Sequence, residues 1–218
     1  MALEVELYWS FRSPYSYLAT PRLVALERDY DVRIDVRPVL PLAVREPDFF
    51  AKVNPLWPRY LLRDVTRIAQ FEDMTIAWPS PDPVAQEGAS RRIAAEQPHA
   101  HRLTRLGVLA AERGKGLAFL YEVSHLLWSG KVRGWNEGAH LDEATARAGL
   151  DLAALESEAV ARTAELDERI ASHQKSLEAA GHWGVPTTVF RGEPFFGQDR
   201  LELLEWRLKQ HGLTKRAT

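Results

Sequence analysis

Ser13 and Ser16 stand three positions apart in the stretch "YWSFRSPYSYLAT" (residues 8–20), on either side of Pro14 and Tyr15. A serine directly before a proline and a helical pattern is placed as an N-cap, with the proline at the first helical position, where its missing N–H is no loss. There the Ser13 hydroxyl lies at the positive end of the helix dipole, among backbone N–H groups that have no partner inside the helix. Such a place holds an anion, and the x-x spacing is the one at which dithiol enzymes carry a pair of cysteines. This chain has no cysteine, which excludes disulfides, thiolate metal sites and any thiol chemistry of its own. What remains for Ser13 is donation to an anion that a ligand brings, or the plain role of a cap worth about 1 kcal/mol. On this residue alone the cap is the first reading.

Two further places have two readings each. Val185-Pro186-Thr187 is either a loop proline before a strand or a cis-proline facing the Ser13 helix. In the second case the Val185 backbone is open to pair with an extended peptide ligand. In Gly197-Gln198-Asp199-Arg200, Asp199 is either a first-turn acid favoured by the dipole or, with Gln198, the holder of an amino-acid-like ligand end. An acid there pairs with an α-ammonium, and the helix N-terminus with an α-carboxylate. His99 and His101 form an H-x-H pair with no third ligand nearby and read as a solvated helix face, so no metal is expected. Trp57 and Trp135 suit either an aromatic pocket or the core.

The elements that must carry these residues are read from periodicity. Leu3, Val5, Leu7 and Trp9 alternate with Glu4, Glu6 and Tyr8, the pattern of a strand. Ala19, Leu23, Leu26 and Tyr30 follow at helical spacing, and Pro21 among them is expected to kink or reset the helix. Val32, Ile34 and Val36 form a second strand that stops at Pro38, which gives a βαβ unit with parallel strands. The far end, "GVPTTVFRGEPFFGQDRLELLEWRLKQHG", reads as a strand over 187–191, a turn at Gly192-Glu193 and a short strand through Phe196. A break at Gly197 follows, then a helix with Leu201, Leu204 and Leu208 on one face. A βαβ half and a ββα half together make an α/β thioredoxin-like plan. The spacing between them predicts helices over 60–71, 85–95, 99–113, 117–127 and, longest, 152–180, where Leu155, Ala159, Leu166, Ile170 and Leu177 form an apolar stripe. "WPSPDP" (78–83) is a rigid loop. The expected organisation is a discontinuous thioredoxin-like domain, 1–57 and 183–218, around an all-helical insertion, 58–182.

The bulk composition agrees with a soluble globular protein: 218 residues, 45% hydrophobic and 27% charged, with a net charge of -2. No basic surplus draws it to nucleic acid or an anionic membrane. The start "MALEVELYW" lacks the basic and apolar regions of a signal peptide, and no apolar run approaches the ~18 residues of a membrane span. A cytoplasmic protein is expected.

"SPYSYLA" after a first strand, a helical insert, "GVPTTVF" and "FFGQDRLELLEWRL", in that order over nearly the whole chain, resemble the 2-hydroxychromene-2-carboxylate isomerases. These group with the kappa-class glutathione transferases in the DsbA-like thioredoxin fold. The resemblance implies a glutathione-dependent isomerase of aromatic degradation, or a transferase conjugating small electrophiles; a binding protein without catalysis is the third reading. It implies a homodimer, glutathione as cofactor and Ser13 as the catalytic serine. The Pro14 and Tyr15 backbone would lie close to the bound thiol. Val185 would pair with the cysteinyl main chain, and Gln198 and Asp199 would hold the γ-glutamyl end. Asn54, in "AKVNPLWPRY", is the best match to an asparagine that contacts glutathione.

Overall fold

The computed structural model of the chain describes residues 2–88 and 92–216, without the side chains of residues 50 and 51. The N-terminal unit is β1 (Leu3–Trp9), α1 (Pro14–Asp29) and β2 (Val32–Pro38). Two single-turn helices, α2 (Leu42–Arg45) and α3 (Phe49–Lys52), lead to α4 (Leu56–Phe71). A small hairpin, β3 (Gln86–Glu87) with β4 (Arg92–Ile93), precedes the helices α5 (Pro98–Glu112), α6 (Gly116–Trp128), α7 (His140–Arg147), α8 (Leu152–Ala161) and α9 (Thr163–Ala179). The chain closes with β5 (Thr187–Phe190), β6 (Glu193–Phe196), a 3-10 turn (Gln198–Arg200) and α10 (Leu201–Gln210). No helix of the described residues is long and apolar enough to cross a membrane.

The main sheet runs β2-β1-β5-β6. β1 and β2 are parallel, in register from Leu3–Val32 to Trp9–Pro38, and β5 and β6 are antiparallel additions. β1 is buried from Leu7 to Trp9 because it is central and covered on both faces. The pleat sends Leu7 and Trp9 into the large core with Leu23, Leu109 and Leu120, while Tyr8 turns to the other face, against Leu177 and Val189. Pro38 is tolerated because β2 lies at the sheet edge. The β5–β6 turn falls on Arg191 and Gly192, at φ 51° and 81°. That is one residue earlier than the sequence suggests. Two consecutive left-handed residues match the twist of a two-residue hairpin, and Arg191-Gly192 is the pair that supplies them here.

Three expectations are corrected. The insertion is not all-helical, since residues 85–95 hold the β3–β4 hairpin. The buried Gln97 amide closes it: its Oε1 accepts from Ala85 N at 2.8 Å, and its Nε2 donates to the Ala85 and Ala94 carbonyls at 2.9 and 2.7 Å. The side chain thus supplies the hydrogen bonds that a helix would have supplied. The long helix over 152–180 is two helices, α8 and α9, broken at Arg162. Its guanidinium gathers Glu112, Glu158 and Glu165 around the break. Pro21 does not interrupt α1, which runs on as one element through Asp29. Burial of Leu18, Ala19 and Thr20 before the proline and Leu23 after it outweighs the one backbone bond that the proline removes.

Trp135 is core: it is buried and its Nε1 donates to Pro81 O at 2.8 Å. Trp128, at the end of α6, reaches from the insertion to the loop between β1 and α1, donating through Nε1 to Phe11 O at 2.9 Å. Substituting Trp128→Phe should strand that carbonyl and leave a void, lowering unfolding free energy by about 1–3 kcal/mol from the lost bond alone. Denaturant titration checks this; an unchanged midpoint would show that the brace carries no load.

Candidate functional site

The first turn of α1 sets the site. Ser13 has an extended backbone (φ -104°, ψ 114°), caps α1 by accepting from Ser16 N at 3.2 Å, and is followed by Pro14 in the first helical turn. Its hydroxyl donates to Val185 O at 3.2 Å. The Val185–Pro186 peptide is cis, as the sequence suggested. Ser13 and Val185 therefore face each other across the gap between α1 and the loop entering β5. The Val185 N–H has no backbone acceptor among the described residues, which leaves a main-chain donor open beside the Ser13 hydroxyl.

Gln198 and Asp199 lie in the 3-10 turn after β6. Gly197 starts the turn at φ 103°, a backbone conformation that strains any residue with a side chain. Arg22 of α1 donates to Gln198 O at 3.3 Å and ties the turn to the first helix. Gln198 is buried, whereas the Asp199 carboxylate is 60% exposed and pairs with Arg200 at 2.7 Å. Asp199 also lies near enough to Tyr15 to raise its phenol pKa. Ser13 and Val185 thus meet at the start of α1, and the turn that carries Gln198 and Asp199 meets the same helix at Arg22. Asn54 stands at the entry to α4. Its Oδ1 accepts from Leu56 N at 3.0 Å at the start of α4, and it makes no hydrogen bond to any of these residues.

The neighbours of this end were not legible as such. Arg12, next to Ser13, donates twice to Asp82, at 2.6 and 2.7 Å, and lies 4.2 Å over the Trp78 ring. Its charge is thereby matched, and the rigid 78–83 loop fixes the backbone before Ser13. Tyr15 donates to Asp64 Oδ2 at 2.8 Å, and Asp64 also accepts from Tyr60 at 3.3 Å and Arg67 at 3.4 Å. Asp64 is the only acid in α4, a helix otherwise charged by arginines. That isolation is the signal the sequence offered. The His99 and His101 pair belongs to no metal cluster among the described residues.

A family model for the DSBA-like thioredoxin domain matches residues 4–209. The chain belongs to that family. Among solved structures, a 2-hydroxychromene-2-carboxylate isomerase shares the fold with a TM-score of 0.70, 24% identity and 95% coverage of each chain. The cytosolic disulfide reductase DsbM of Pseudomonas aeruginosa is also similar, with a TM-score of 0.59, 20% identity and 95% of this chain covered against 100% of its own. DsbM has also been solved with GSH. No curated protein matches the sequence. As a member of the DSBA-like family, the chain carries hydroxyls at the helix start and no thiol anywhere.

Burial, first, and then the hydrogen bond to Asp64 hold the Tyr15 phenol well above its ordinary value of 10.0. Burial also raises Tyr8 and Tyr17. Each phenol has a higher pKa folded than unfolded, so folding favours the neutral form. That stabilisation is whole below about pH 10 and is lost as pH rises through the folded values. Asp64→Asn keeps an acceptor but removes the charge, and should bring the Tyr15 titration down toward the ordinary range. Tyrosinate absorbance during an alkaline titration reads the change; curves identical to wild type would show that Asp64 does not govern Tyr15.

Proposed function

We propose that this protein is a glutathione-dependent isomerase acting on a 2-hydroxychromene-2-carboxylate-like intermediate of aromatic degradation. The observation that carries the reading is the Ser13 hydroxyl, held at the start of α1 and turned toward Val185 O in a chain without cysteine. The fold shared with a 2-hydroxychromene-2-carboxylate isomerase, and the GSH complex of DsbM, support it. The residues present fit a thiol peptide. They offer a hydroxyl donor at a helix N-terminus, an open main-chain N–H at Val185 and an exposed carboxylate at Asp199. Bound there, glutathione would supply a thiolate that adds to an electrophilic carbon of the substrate and is later eliminated unconsumed.

The work of this chain is to stabilise that anion. A free thiol has a pKa near ~8.5, so little is ionised at neutral pH. Ser13 donates to a neutral carbonyl, a bond worth about 0.5–1.5 kcal/mol, whereas donation to an anion is worth about 1.5–3 kcal/mol. The difference favours turning the hydroxyl from Val185 O to sulfur. The turn also frees the Val185 carbonyl to accept an N–H of the ligand's main chain. The α1 N-terminus adds its dipole in the same direction. Asp199, which now pairs with Arg200, would hold the ammonium of the γ-glutamyl end. Asn54 caps α4 through its Oδ1, and its Nδ2 remains a donor that a bound peptide could use.

Ser13→Ala should raise the bound thiol's pKa by about one to two units, while Ser16→Ala, which removes a buried hydroxyl without a partner, should leave it unchanged. Thiolate absorbance in a pH titration of the glutathione complexes reads both, and coincident curves for wild type and Ser13→Ala would sink the mechanism. Asp199→Ala should weaken glutathione roughly tenfold or more with the melting temperature unchanged. Calorimetric titration tests this, and full affinity in the variant would reduce Asp199 to a surface acid. Turnover of 2-hydroxychromene-2-carboxylate should leave glutathione undiminished; stoichiometric loss would mark a transferase instead.

A further inference from the structure

The Val185 peptide, which Ser13 faces, is held from behind by its own loop. His182 Nδ1 accepts from Gly184 N at 2.8 Å. The Gly184 carbonyl accepts from the buried Thr187 hydroxyl at 2.7 Å, so both polar groups of Gly184 are fixed by side chains. The His182 ring lies flat on Phe196, with centroids 3.9 Å apart and planes 20° from parallel, and is also stacked with Trp183 at 5.5 Å. Gly184 packs directly against these rings: a Cβ on it would stand 2.6 Å from Phe196 Cε2 and 3.0 Å from His182 Cε1. Next along the chain come Val185, whose carbonyl meets Ser13, and Pro186, whose carbonyl accepts from Gly197 N at 2.8 Å. Phe196 directly precedes Gly197 and the turn of Gln198 and Asp199. One imidazole thus joins the loop of Val185 to the strand that leads into that turn.

The acceptor at Nδ1 exists only in the neutral ring, in the tautomer with its proton on Nε2. Protonation sets a second N–H against that of Gly184, and the ring must turn out of the stack to relieve the conflict. Burial holds the His182 pKa below its ordinary 6.5, which favours the neutral ring at neutral pH. The charged groups of the neighbouring elements are engaged elsewhere. Arg45 of α2 donates to the Leu40 and Trp183 carbonyls, Glu178 of α9 accepts from Gln174, Glu193 of β6 pairs with Arg207, and Asp199 pairs with Arg200. Among the described residues none of them bonds to the His182 ring.

We propose that His182 is the positioning residue for the Val185 peptide, holding it in its ligand-pairing orientation while the ring is neutral and releasing it when the ring is protonated. That the occupant is a γ-glutamyl thiol peptide rests on the glutathione reading; the lock itself rests on His182, Gly184 and Phe196.

The probe is S-methylglutathione, whose sulfur does not ionise, titrated calorimetrically into the full chain at about pH 7 and about pH 5, on either side of the histidine range. Wild-type affinity should fall about threefold or more at the lower pH, in the range of one neutral hydrogen bond. His182→Asn keeps an acceptor, because an asparagine Oδ1 can take the N–H two residues on, and its affinity should stay level between the two. His182→Ala should be weaker than wild type at neutral pH, roughly three- to tenfold. Without ligand, the Gly184 and Val185 amide resonances of wild type should move with the His182 titration, and those of His182→Asn should not. Amides that follow His182 in a protein that does not bind S-methylglutathione would defeat the glutathione reading and uphold the lock. Amides indifferent to His182, or bound affinity with the same pH dependence in wild type and His182→Asn, would overturn the lock.

Discussion

One hydrogen bond joins the two halves of this molecule at the place where its chemistry is expected: Ser13 Oγ to Val185 O, across 172 residues of chain. Its strength is small, about 0.5–1.5 kcal/mol, and it does not hold the fold together. Its geometry can exist only if everything around it is right. β1 must be central, so that α1 begins and β5 lies alongside on the same sheet. β5 must be antiparallel to β1, so that its entry loop sits at the end where α1 starts. The energy behind that arrangement comes from the buried core of Leu7, Trp9, Leu23, Leu109 and Leu120, which fixes strand order and helix placement together.

The insertion belongs to the same argument. A loop between a strand and a helix is ordinarily the mobile part of a fold. Here Phe11, Arg12 and Tyr15 are each held by a residue of the insertion, Trp128, Asp82 and Asp64 in turn. Ser13 is therefore bracketed on both sides by bonds to one body while it faces Val185 of the other. Preorganisation of this kind lets a single hydroxyl donor act on an anion without the cost of first ordering its own backbone. Trp128 and the Asp82 loop serve position, although neither touches the site.

The thioredoxin-like halves were legible because they follow simple rules. Period two gave β1, β2, β5 and β6, Ser13-Pro14 marked the start of α1, and Gly197 marked the break before the final helix. The insertion was legible only as helical material. Its hairpin was missed because Gln97, a residue with ordinary helix propensity, spends its amide on two distant backbone segments, and nothing local reports that. The α8–α9 break was missed because Arg162 is a good helix former whose ion pairs, not its propensity, stabilise the interruption. At the site, Ser13, Val185, Gln198 and Asp199 could be picked out as cap, loop and turn residues. The meeting of Ser13 with Val185, and of the 198–200 turn with α1, depends on long-range contacts that no spacing encodes. Tyr15's partner, Asp64, lies 49 residues away and shows in the sequence only as a lone acid among arginines.

The two serines of the motif have the same chemistry and opposite fates, and the contrast limits what the site can do. Ser16 is wholly buried, its hydroxyl finds no partner among the described residues, and its backbone carbonyl is already taken by Trp9 Nε1 and Thr20 Oγ1. A stranded hydroxyl of this kind is a burden of about 1–3 kcal/mol, and it faces no space from which a ligand atom could arrive. Ser13 is partly exposed, and its oxygen accepts from the helix while its proton is lent to Val185. Exchange between two sulfurs needs two reachable positions, whereas this helix end presents one. A site with a single movable donor can stabilise one anion at a time, which suits a borrowed thiolate that adds and leaves. It does not suit a pair of groups that pass electrons between them.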